Sequence, residues 1–136
     1  MMPLDALLAS VNAAFGWRCS SFTDVIEHLV PPERWRRLAD AEGMDDSEII
    51  GLIDIAAFLP EQLYVVTDAS YTGQRGAFKV HRDGLREFAA GYRKQNGGML
   101  FDGDVLIIGI ASQRIWMLHH EGVWTWFDGR SGAPTP

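Results

Sequence analysis

The feature that most constrains this chain is the close succession of three β-type runs near its C-terminal end. The runs Asp104 to Ile110, Ile115 to His120 and Val123 to Phe127 are rich in Val, Ile, Leu, Phe and Trp, and only a few residues separate them. Parallel neighbours need a long crossover, so connections this short predict an antiparallel meander. The Glu121-Gly122 link predicts a tight two-residue hairpin. With that loop His119 opposes Trp124 and Met117 opposes Trp126. One face then carries Ile115, Met117, His119, Trp124 and Trp126. The other carries Trp116, Leu118, His120, Val123, Thr125 and Phe127. The first run is apolar at even and odd positions alike, which predicts a central strand covered on both faces.

Upstream the period changes from two to about 3.6. Leu4, Leu7, Leu8, Val11 and Phe15 mark an amphipathic helix that Gly16 can end. Ser21 and Asp24 open a second helix bearing Phe22, Val25, Ile26 and Leu29, and Pro31-Pro32 stops it. Pro32 suits the first turn of a third helix through Trp35 and Leu38, closed by Gly43. Asp45 and Glu48 have capping-box spacing for a fourth, whose body from Ile49 to Leu59 is apolar on most sides except Asp54. A strand from Leu63 to Thr67, a turn from Ala69 to Gly76 and a short strand from Ala77 to Val80 come next. Asp83 is placed to cap a further helix with Leu85, Phe88, Ala89 and Tyr92 on one face, ended by Asn96-Gly97-Gly98. Four helices, two strands, one helix and three strands define an α+β class, with N-terminal helices packed on a mainly antiparallel C-terminal sheet. At 136 residues this is one domain, and its Gly/Pro-rich end from Gly129 to Pro136 is expected to fray.

Several chemistries lack their residues. The single cysteine, Cys19, cannot form an internal disulfide, and Arg18 is the only basic group beside it, so an inert thiol is expected. Asp5 interrupts the apolar N-terminus, no basic segment precedes it, and no run approaches the ~18 apolar residues of a membrane span; a cytoplasmic chain is expected. His119 and His120 are adjacent on a strand and point to opposite faces, and no His-x-x-x-His or Cys-x-x-Cys spacing occurs. No metal or other cofactor is therefore expected. Asp102 and Asp104 flank Gly103, as either a carboxylate pair or a turn closed by local hydrogen bonds. Gly73-Gln74-Arg75-Gly76 lacks the lysine of a phosphate loop, and no Gly-x-Ser-x-Gly elbow exists. The chain carries no catalytic constellation and reads as a non-enzyme.

Charge is distributed unevenly. The net charge is −6, yet between Leu38 and Gln74 stand Asp40, Glu42, Asp45, Asp46, Glu48, Asp54, Glu61 and Asp68 with no lysine or arginine. From Arg75 to Lys94 the sign reverses: Arg75, Lys79, Arg82, Arg86, Arg93 and Lys94 face only Asp83 and Glu87. Two solvated faces attracting each other inside one fold would explain this layout. An acidic docking surface for a basic partner explains it equally, because a patch of one sign steers encounter. An acidic stretch also argues against nucleic acid as the partner. On the docking reading, Asp40, Glu42, Asp45, Asp46 and Glu48 supply attraction, and Trp124 and Trp126 supply the desolvated centre.

Single-domain size, the missing enzyme motif, the base-free stretch from Leu38 to Gln74 and the tryptophan-rich end from Ile115 to Phe127 together give a resemblance. In these features the chain resembles the immunity proteins of bacterial toxin–immunity systems, such as those of contact-dependent growth inhibition. The resemblance implies a cytoplasmic protein that binds a cognate toxin domain, basic and often a nuclease, and blocks its active site. It carries no site residue over individually. The order of elements is also similar to the cone-shaped fold of ketosteroid-isomerase-like proteins. That resemblance implies a pocket for a small apolar ligand lined by residues such as Tyr64, Phe78, Ile107, Trp116 or Trp124, with Asp104 and His119 as its polar pair.

Overall fold

The computed structural model describes residues 2–29, 35–37, 44–57, 59–71, 76–119 and 122–129, with the side chains of 28, 29, 55–57 and 102 outside that description. Among the described residues four α-helices, α1 (Leu4–Phe15), α2 (Phe22–Leu29), α3 (Asp46–Ala57) and α4 (Leu85–Asn96), accompany six strands. The strands are β1 (Arg36–Arg37), β2 (Gln62–Val66), β3 (Phe78–His81), β4 (Val105–Gly109), β5 (Arg114–His119) and β6 (Val123–Asp128). They form one sheet in the order β1-β6-β5-β4-β2-β3, and every ladder is antiparallel. The expected α+β class is what the chain adopts.

Helices cover both faces of the sheet. Val65, Ile107 and Trp116 stand in line across β2, β4 and β5 and meet Ile49, Ile50 and Ile53 of α3 and Leu85 and Ala89 of α4 in one core. One residue along, Val66, Leu106 and Met117 point the other way and meet Leu7 and Val11 of α1 and Phe22 and Val25 of α2. All five residues of β4 are buried, as expected for a strand apolar at every position.

At the β1 edge of the sheet two expectations are corrected. Trp35, expected in a third helix, precedes the short edge strand β1, where Arg36 pairs with Trp124 and Arg37 with Val123. The extended backbone fills ladder positions on the outer edge of β6, and the Arg36 guanidinium lies 5.8 Å from the centre of the Trp124 ring. Pro32, Leu38 and Gly43, which were to bound that helix, lie outside the described residues. The hairpin register is the second correction. His119 pairs with Val123, Leu118 with Trp124 and Trp116 with Trp126, so the connection spans three residues. Gly122, at φ 81°, closes it with its N–H on the His119 carbonyl. A one-residue slip moves a strand's side chains to the opposite face. Trp116, Leu118, Trp124 and Trp126 therefore share one core, and Ile115, Met117 and Phe127 belong to the other.

Helix ends follow local chemistry. Asp45 caps α3, its Oδ1 accepting from the Glu48 N–H at 2.9 Å, as the capping-box spacing implied. Asp83 does not cap α4, since a 3-10 turn at Arg82–Gly84 intervenes and Gly84 takes the cap position without a side-chain bond. Gly97 ends α4 in the left-handed conformation. At the outer edge, Met2 and Ala77 exchange backbone hydrogen bonds of 3.2 and 2.8 Å beside Gly76. Gly76 has φ +79°, and a Cβ there would run into the Met2 carbonyl. Gly76→Ala is expected to break this bridge and cost about 1–3 kcal/mol. Urea unfolding checks the size, and faster amide exchange at Met2 and Ala77 checks the place.

Candidate functional site

The acids that motivated a docking surface have unequal roles. Asp40 and Glu42 lie outside the described residues. Asp45 and Glu48 are exposed at the start of α3, where Asp45 Oδ1 makes the local cap. Asp46 is a correction: it is 9% exposed, and both its oxygens are committed to the chain. The N–H groups of Leu100 and Phe101 donate to its Oδ2 and Oδ1 at 2.9 and 3.1 Å. These donors open a 3-10 turn at Leu100–Asp102, so Asp46 pins that turn to α3 and is unavailable to a partner. Asp54 is also engaged, accepting from the Leu59 N–H at 2.9 Å just past the helix end.

The basic stretch lies against the acidic one. Arg82 donates to the Leu59 carbonyl at 2.9 Å, and Arg86 Nε donates to Ser47 Oγ at 3.1 Å. Arg86 so ties α4 to the first turn of α3. Both contacts join the two stretches through neutral acceptors, a backbone carbonyl and a hydroxyl.

The two tryptophans are placed unequally. Trp124 is 4% exposed and packs in the core beneath α3 and α4, so it cannot form the centre of a docking surface. Trp126 is half-buried against the same core. The hairpin register explains both positions, because the slip turns these rings onto the face that α3 and α4 cover. Among the described residues the large exposed apolar side chains are Leu52 at 38% and Tyr71 at 59%.

The wall that Asp46 pins borders a polar cleft of about 260 Å³, whose lining includes Thr67, Asp68, Tyr92, Asn96, Leu100 and Asp104. Thr67 closes β2 and is buried, accepting from the Ala69 N–H at 3.2 Å and from the Tyr92 hydroxyl at 3.0 Å. Asp68 lies so close to Gly103 that a Cβ there would stand 2.7 Å from its Oδ2. Asn96 Nδ2 donates back to the Tyr92 carbonyl at 3.0 Å. The Thr67–Tyr92 pair was not read from the sequence. The available signal was a tyrosine on the apolar face of α4, whose hydroxyl must find a partner when buried. Tyr92→Phe is expected to cost about 1 kcal/mol by removing one of the two hydrogen bonds that the buried Thr67 hydroxyl accepts. A matching Thr67→Val variant should make the second change nearly free, and the double-mutant cycle reads that coupling.

Asp104 and His119, the polar pair named for a cone-shaped pocket, do come together. His119 Nε2 is 3.9 Å from Asp104 Oδ1, and the Trp35 ring meets the imidazole edge-on. The pair sits half-exposed where β4 begins and β5 ends. The apolar residues expected to line that pocket are divided by the sheet. Phe78, Ile107, Trp116 and Trp124 pack in the α3/α4 core, and Tyr64 packs in the α1/α2 core. The sheet therefore stands between Tyr64 and the other four.

Cys19 borders a second cleft, of about 250 Å³, with Arg18, Asp24 and Glu27. Burial pushes its thiol above the ordinary cysteine value and the Asp24 charge pushes it further, opposite to the direction that activates a nucleophile. Burial, and then the Asp68 carboxylate, likewise raise the Tyr71 phenol. Among the described residues no three His, Cys, Asp or Glu side chains are grouped to hold a metal ion, and no helix is long and apolar enough to cross a membrane. The class defined here is an α+β domain with an antiparallel sheet covered on both faces. No family model, no curated protein and no solved structure matches the chain.

Proposed function

We propose that this chain is a non-enzymatic inhibitor of the immunity-protein type, which binds a basic toxin domain in the cytoplasm and covers its active site without a cofactor. The observation that carries the reading is the run of eight acids from Asp40 to Asp68 with no lysine or arginine among them. After the fold has used Asp46 and Asp54, Asp45 and Glu48 still present charge to solvent at the start of α3. Charges in that position raise the encounter rate with a cationic partner and set its salt dependence. Core side chains fill both sheet faces, which supports recognition through the outer surface.

The decisive experiment is co-expression with the protein encoded immediately upstream of this gene. The expected result is a tight complex with a neighbour that is toxic, or cleaves nucleic acid, when produced alone. A neighbour that neither binds nor harms the cell would overturn the reading. On such a complex, the double variant Asp45→Lys with Glu48→Lys is expected to slow association at low salt by about tenfold or more, with a flatter salt dependence. An unchanged association rate at low salt would remove the start of α3 from the docking surface.

A further inference from the structure

We draw no further inference here: the strongest candidate, the polar cleft bordered by Thr67, Asp68, Tyr92, Asn96 and Asp104 beside α4, rests on a pair of carboxylates with no second feature that points to a ligand.

Discussion

Asp46→Ala is expected to lower the unfolding free energy by about 3 kcal/mol, because it strands two backbone N–H groups that now donate to a carboxylate. That is a large share of the roughly 5–15 kcal/mol by which single domains are stable. The donors belong to Leu100, which is 1% exposed, and to Phe101, which packs against the α3/α4 core, so water replaces the carboxylate poorly. The carboxylate also sits in the first turn of α3, where a negative charge meets the positive end of the helix dipole. Asp46→Asn keeps one acceptor oxygen, and its loss should fall between those of the parent and the alanine variant. Urea unfolding of the three proteins gives the order, with the slope unchanged if only native stability is affected. Native-state exchange gives the place, since the Leu100 and Phe101 amides should lose protection first. An alanine variant as stable as the parent would mean that those amides find another acceptor. The order also decides how docking is tested: a charge reversal at Asp46 would unfold the turn it pins, whereas Asp45 and Glu48 can be reversed at the surface.

Much of the architecture was legible because its signals are local. The periodicity of Leu7 and Val11, the capping spacing of Asp45 and Glu48, and the unbroken apolar run of β4 each describe an environment that their own neighbours impose. Misread elements depended on distant partners or on one residue of loop. Arg36 and Arg37 become a strand because β6 offers a free edge, which no window around Trp35 contains. The turn chemistry of Glu121-Gly122 was recognised, but the position of its left-handed glycine adds one residue to the loop. That single residue exchanges the faces of Trp124 and Trp126. The site was less legible for the same reason. Composition shows how many acids a stretch holds. The backbone amides that consume Asp46 come from residues 54 and 55 positions further along the chain. Asp104 and His119 were nominated as a pair, and their approach follows from β4 and β5 pairing up to Val105 and Leu118, one step before them.

Trp116→Ala is expected to be the most damaging single change in the sheet, at about 4 kcal/mol. Trp116 is fully buried at the middle of β5, between Ile107 on β4 and Trp126 on β6, in the core that α3 and α4 close. Removing its ring leaves a cavity with strands on either side, and ladder hydrogen bonds hold those strands at fixed spacing, so the site collapses little. The indole also carries a cost that alanine scanning hides. Its Nε1–H is buried and finds no acceptor among the described residues. A buried donor without a partner costs about 1–3 kcal/mol, so the tryptophan is retained for its volume against an opposing polar penalty. Trp116→Phe removes that donor and keeps most of the ring, and its net cost should be about 1 kcal/mol, well under that of alanine. Chemical denaturation of the two variants separates the effects. Nearly equal losses would show that the indole N–H is satisfied in solution and that its hydrogen bond, more than packing volume, sets the energy of this position. A small loss for phenylalanine beside a large one for alanine would mark an aromatic ring, and not its nitrogen, as what the centre of the sheet requires.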